Sequence, residues 1–233
     1  MDEIRAVEAP ITRPRPHIEF FRRHRDHWMH SESRSATIFS LILFAASMAI
    51  AYFAEIYATE KATNAVGDIV LDKIAIFDVD WFYIWGALAL LIFAASLLIT
   101  NPKRIPFTLH SFTLYFLIRA FFISLTHLGL PVPPPVEVWT VTSRMVFGGG
   151  LFFSGHVGAP YLLALLFWRK KRLRYIFIGS SIVFATTALL GHYHYTIDVV
   201  AAYFITYSIF HIAKTLFKKD RALFESETAK ETT

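Results

Sequence analysis

Apolar residues run in six long blocks, at about 36–58, 82–100, 107–128, 150–168, 174–191 and 196–217, separated by short polar or charged stretches. A block of roughly 20 apolar residues is long enough to cross a bilayer as a helix. Backbone polar groups in lipid must be satisfied within the segment, which favours helices. The pattern therefore predicts an all-α, polytopic membrane protein with six transmembrane helices. Residues 35–217 form the membrane domain, flanked by a basic leader at 1–34 and a polar tail at 218–233 that reads as disordered. In the leader, Ile18, Phe20, Phe21, Trp28 and Met29 lie among Arg22, Arg23, Arg25 and several histidines. That suits an amphipathic helix lying on a membrane surface, and a disordered basic segment fits the same composition. Residues 64–80, with Ile69, Val70, Ile74 and Ile76, are expected to form a short surface helix.

Composition agrees: 55% of the 233 residues are hydrophobic, 16% are aromatic, and the mean hydropathy is +0.46. There is no cysteine, so disulfides and thiolate metal ligands do not arise. The net charge of +5 resembles a nucleic-acid signal until its distribution is considered. Nearly all the Lys and Arg lie in four segments: Arg5 to Arg34, Lys103 and Arg104, Arg169 to Arg174, and Lys214 to Lys230. Six crossings put all four on one side, and the positive-inside rule makes that side, with both termini, cytoplasmic. The opposite loop, 59–81, carries Glu60, Asp68, Asp72, Asp78 and Asp80. The basic clusters read as topology signals and anionic-lipid contacts, with no nucleic-acid partner expected.

Two polar segments interrupt the apolar blocks: Ser154-Gly155-His156 and His192-Tyr193-His194-Tyr195-Thr196-Ile197-Asp198. Ionisable groups at membrane depth are costly and mark functional sites. The topology brings His156, His192, His194 and Asp198 to the non-cytoplasmic face, together with Arg119 from the third block. His194 and Asp198 are four residues apart and would share a helix face. A carboxylate holding one imidazole nitrogen leaves the other free to attack, while a second histidine, His156, can protonate a leaving oxygen. Gly149, Gly150, Ser154 and Gly155 allow close backbone approach to an anion at a helix start. Arg119 needs an anionic partner, which a substrate phosphate would supply. This set implies phosphoryl transfer through a phosphohistidine, without a metal or other cofactor. Plainer readings exist for each piece. The His–Asp pair could be structural, Arg119 could pair with Glu137 or Asp198, and His156, His192 and His194 could bind zinc from a loop.

Ser154-Gly155-His156 and His194-Tyr195-Thr196-Ile197-Asp198 resemble the two catalytic motifs of the type 2 phosphatidic acid phosphatase superfamily. The longer string from His194 to Tyr203 is similar to the sphingomyelin synthase branch. So are Thr113-Leu114-Tyr115 with Arg119, the run Leu130-Pro131-Val132-Pro133, and Gly67-Asp68-Ile69-Val70-Leu71-Asp72. The resemblance implies His194 as nucleophile, Asp198 as its support and His156 as acid. His192 and Tyr195, in the same polar segment, are expected beside the substrate. Two departures flank the first motif: Gly150 stands where the synthases carry an acid, and Val157 where they carry threonine. The activity implied is transfer of a phospho-head group from a phospholipid donor to a lipid alcohol such as ceramide or diacylglycerol, or to water. That is chemistry of the sphingomyelin or ceramide-phosphoethanolamine synthase kind. Lipid phosphate or prenyl diphosphate phosphatase activity is the first alternative. A transporter or scaffold with a structural polar cluster is the second. Homo-oligomers are left open, and the short chain leans towards a bacterial inner membrane.

Overall fold

The computed structural model describes residues 16–132 and 150–230. Helix α1 (Pro16–Met29) leads into α2 (Ser31–Lys61), and α3 spans Asp80–Ile99. A 3₁₀ turn at Pro102–Arg104 precedes α4 (Ile105–Leu125). After residue 150 come α5 (Gly155–Leu166), α6 (Lys171–Leu190), α7 (Thr196–Leu216) and α8 (Lys218–Lys230). Helix is the only regular structure formed, apart from 3₁₀ turns, among the described residues.

Five of these helices are long and apolar enough to cross a membrane: α2, α3, α4 with its preceding turn, α6 and α7. The block expected at 150–168 is different. Its helix, α5, has 12 residues and rises only about 18 Å. The first five residues of the block, 150–154, are drawn out of helix because their backbone serves the polar site described below. The five apolar helices point to an integral membrane protein. Their outer faces carry exposed Phe53, Leu91, Ile92, Phe121 and Phe204, a belt that only lipid would cover well.

Packing follows the rule for helices in lipid, where close approach through small residues replaces the hydrophobic effect. Helix α2 lies along α4. It buries Thr37, Ser40, Ser47 and Ala58, while α4 buries Thr108, Ser111, Thr113 and Ala120. The hydroxyls of Ser40, Ser47 and Ser111 donate to carbonyls one turn back, which satisfies their polar hydrogens within their own helices. Helix α5 sits between α6 and α7, and α4 closes against α7. Tyr83, Tyr115, Phe153, Phe167 and Phe177 are the large side chains fully buried among them.

The basic segments gather at one end, as their spacing predicted. Helix α1 and α8 both pack on the Pro102–Arg104 turn. Burial, then Arg104 and Arg23, pushes the Lys170 ammonium down to about 8, which shows how closely cations from three segments crowd there. Trp28 and Trp168 are exposed at this end, and Trp81 and Trp85 near the start of α3. They form two aromatic belts of the kind found at membrane interfaces.

Two expectations are corrected. Residues 64–80 hold only a 3₁₀ turn at Leu71–Lys73, not a surface helix. The tail expected to be disordered continues as α8. Its polar composition hid a pin: Phe224 is buried, edge-on to Phe107 at 5.8 Å and against Phe167 at 5.5 Å. His110 Nδ1 adds a 2.9 Å contact to Asp220, and its ring stacks on Phe217 at 4.5 Å. Phe224→Ala should undock α8 and speed tryptic cleavage after Lys219 and Arg221 several-fold, with cleavage elsewhere unchanged; an unchanged digestion pattern would show that the pin carries nothing.

Candidate active site

The site is built from the first turn of α7. Asp198 is the third residue of that helix and is fully buried. Its Oδ2 accepts the Tyr195 amide at 3.0 Å, so the acid caps its own helix. Its backbone carbonyl accepts the Ser154 amide at 3.1 Å, which ties the second polar segment to the first. His194 lies just before the helix, and its Nδ1 stands 3.5 Å from Asp198 Oδ2. The two side chains meet because Asp198 folds back to cap, not because both ride on one helix face as the four-residue spacing implied. His194 Nδ1 and Asp198 Oδ1 are both buried without a hydrogen-bond partner, so the pair is poised just short of closure. Catalytic hydrogen bonds are commonly long until substrate arrives.

His156, in the first turn of α5, stacks on Tyr83 at 3.9 Å and meets Phe184 edge-on at 5.8 Å. Tyr83 also packs on Tyr193 at 4.6 Å, so one tyrosine joins both histidine segments. His156 lies within electrostatic reach of His194 and Arg119. Gly155 and His156, the first residues of α5, line the same space, and the dipole at a helix start favours an anion there.

Arg119 is held differently from what its sequence position implied. Its Nη1 pairs with Glu55 on α2 at 3.0 Å, its Nε donates to the Phe153 carbonyl at 3.0 Å, and its Nη2 donates to the Gly150 carbonyl. The anionic partner is therefore Glu55, not Asp198; Glu137 lies outside the described residues. Gly150 explains its own identity. A Cβ there would run into the Glu55 carboxylate, so a larger residue would push that carboxylate away from its present place beside Arg119. Glu55 thus brings an acid from α2 to the place where the resemblance expected one at 150. A lone carboxylate in the first apolar block and a lone guanidinium in the third were the available signal. Gly149 lies outside the described residues.

Tyr195 is also reassigned. It is 2% exposed, and its hydroxyl accepts the Val66 amide at 3.0 Å and donates to the Gly129 carbonyl at 2.9 Å. It clasps two loops behind the histidines instead of facing substrate. Asp68 works beside it. Its carboxylate accepts the Thr196 amide at 2.7 Å and the Thr196 hydroxyl at 2.6 Å, together with the Val70 and Leu71 amides. Burial works to raise the Asp68 carboxyl, but these donors outweigh it and hold it at about 2.

Helix α6 ends in a Schellman turn beside these loops. Tyr193 N–H donates to the Ala188 carbonyl at 2.9 Å and His192 N–H to the Leu189 carbonyl at 3.1 Å. His192 takes the left-handed conformation, φ 54°, that such a turn requires. Glycine is the usual residue there, and another residue costs about 1–2 kcal/mol. The Tyr193 side chain is fixed by a hydrogen bond to Asp80.

A cavity of about 1140 Å³ opens onto these groups, larger than the roughly 300–1,000 Å³ typical of small-molecule pockets. Glu55, Arg119, Gly150, Gly155, His156, His192 and His194 line one end, with Asp78 and Asp80 at the rim. Below them it is walled by Phe44, Leu90, Leu98, Leu109, Phe112 and Leu163. Between Asp80 and Leu98 it follows α3 for about 27 Å, most of a bilayer's hydrocarbon depth. Ser154, Asp198 and Tyr195 stand behind this wall. Among the described residues, no three His, Asp or Glu side chains are placed to hold one metal ion.

Residues 149–215 match the family model for the PAP2 superfamily C-terminal domain. The match supports PAP2 superfamily membership. It covers α5 to α7, and with them His156, His192, His194 and Asp198. Helices α1 to α4, including Glu55 and Arg119, lie outside it. No curated protein and no solved structure matches the chain. A PAP2 domain points to phosphatase or phosphotransferase chemistry on lipid-like substrates, an activity that the amphipathic cavity suits.

Two predictions test this architecture. Glu55→Gln leaves the buried Arg119 charge uncompensated and should destabilise the protein by about 3–5 kcal/mol, measured by thermal or denaturant unfolding in detergent; no loss would make the pair ornamental. The Asp68 contribution has a defined acid limb. Its folded value lies below the ordinary 3.8, so its stabilisation is complete above about pH 4 and is lost as pH falls towards 2. Asp68→Asn should flatten the fall in melting temperature across that window, and an unaltered acid limb in the variant would contradict the assignment.

Proposed function

We propose that the protein transfers a phospho-head group from a phospholipid to a lipid alcohol, with water as the alternative acceptor. The observation that carries this reading is the cavity. Three histidines and a helix N-terminus stand at its polar end, and a lipid's acyl chains fit the apolar depth beneath. A soluble phosphate ester would have no use for that depth.

In this reading the unprotonated nitrogen of His194 attacks phosphorus, and Asp198 holds the other imidazole nitrogen. The nitrogen–phosphorus bond forms as the bond to the diacylglycerol oxygen breaks, and His156 gives that oxygen its proton. The alcohol acceptor then enters from the same side. His156 takes its proton, the acceptor oxygen bonds to phosphorus, and the phosphorus–nitrogen bond breaks to restore His194. In-line displacement puts leaving and entering oxygens in one place, so one histidine serves as acid and then as base. The amides of Gly155 and His156 at the start of α5 receive the phosphoryl oxygens. The Glu55–Arg119 pair keeps the 150–153 segment against the site. With the basic end cytoplasmic, as the positive-inside rule directs, the polar end opens to the opposite face of the membrane.

Purified protein given phosphatidylcholine or phosphatidylethanolamine plus ceramide should release diacylglycerol and form a new phospholipid. His194→Ala should abolish this, and Asp198→Asn should lower turnover by about 10²–10⁴-fold. Free phosphate from phosphatidate, with no new phospholipid, would establish the phosphatase reading instead. Near-normal turnover by His194→Ala would end both.

A further inference from the structure

The phosphoryl group in transit carries charge on three equatorial oxygens, and the site must meet them with donors. Arg119 is the residue whose charge invites that role, yet three of its five N–H donors are committed, to Phe153, Glu55 and Gly150, and its charge is already balanced by Glu55. The Ser154 amide is likewise committed, to the Asp198 carbonyl. His192 presents the opposite case. It lines the polar end of the cavity two residues from His194, is only 9% exposed, and its Nε2 is buried with no hydrogen-bond partner. An unsatisfied buried polar nitrogen is destabilising.

The backbone makes the same residue costly a second time. His192 occupies the left-handed position of the Schellman turn, where glycine is at ease. Glycine stands one place earlier instead, at Gly191, in ordinary helical conformation with φ −83°. Among the described residues the ring contact of this turn is made by Tyr193, on Tyr83, and its hydroxyl donates to Asp80; His192 makes neither kind of contact there. Two local penalties therefore fall on one side chain beside the nucleophile. Strain that the fold does not need collects where function needs it.

We propose that His192 donates its Nε2–H to a phosphoryl oxygen in the transition state, and that Arg119 is a positioning residue that braces the surrounding loop. The assignment rests on the head-group transfer reading above. Substrate supplies the partner that His192 lacks at rest. The turn fixes its ring two residues from His194, so attack and charge stabilisation come from one rigid corner.

The test compares His192→Gly and His192→Asn with wild type and His194→Ala, using orthovanadate as a phosphoryl mimic. His192→Gly suits the left-handed turn, so it should unfold at the same or a higher temperature. Turnover should nevertheless fall about 10- to 100-fold, the worth of one hydrogen bond to a charged group. The vanadate inhibition constant should rise by a similar factor, and thermal stabilisation by vanadate should vanish. His192→Asn tolerates the turn and keeps an N–H donor, so it should recover part of each loss. Wild-type turnover with unchanged vanadate binding in His192→Gly would overturn the proposal. So would lost turnover with vanadate binding intact, which would place His192 away from the phosphoryl oxygens. The vanadate thermal shift does not depend on the lipid assay. An active His194→Ala enzyme would therefore refute the transfer reading separately, while the shift still decides His192.

Discussion

One buried carboxylate organises the polar end of this protein. Asp198 caps α7 through the Tyr195 amide, receives the Ser154 amide on its own carbonyl, and stands against His194. A negative group near the start of a helix is favoured by the dipole, so the helix start suits a carboxylate at this place. Removing the charge would loosen the helix start, the link between the two histidine segments and the imidazole together. Around it hydrogen bonds pin the loops: the Asp68 carboxylate accepts from Thr196, and the Tyr195 hydroxyl accepts from Val66 and donates to Gly129.

The Glu55–Arg119 pair has a different purpose. It is built from two apolar blocks and sits outside the region matched to the PAP2 C-terminal domain. Its cost of burial is offset by carbonyls from Gly150 and Phe153, which gain a fixed position in return. The arrangement suits glycine at 150, and it accounts for the short helix that follows. The α5 amides are delivered to the cavity only if residues 150–154 leave helical geometry. Chemistry at one end and apolar depth below are thus consequences of one compromise in the fourth block.

Much of this was legible from the chain. Five of the six apolar blocks became membrane-length helices, since hydropathy over twenty residues is a strong local signal. The gathering of His156, His192 and His194 followed from where the Lys and Arg residues fall, and the structure brings those side chains to one cavity. What stayed hidden depended on long-range geometry or on conformation. Glu55 and Arg119 are 64 residues apart, and no spacing rule joins them. His192 reads as one more histidine until its φ is known. Tyr195 sits in the right motif yet faces the wrong way, because its hydroxyl is needed by two loops. In the tail a single aromatic, Phe224, outweighs a polar composition once Phe107 and Phe167 receive it.

The central claim is covalent chemistry at His194. It is tested most directly by incubating the enzyme with a phospholipid donor in the absence of acceptor alcohol, quenching in alkali and mapping the adduct by peptide mass spectrometry. The account predicts a phospho-head group on His194, discharged when a lipid alcohol is added. Full turnover with no adduct on His194, or an adduct on another residue, would contradict it.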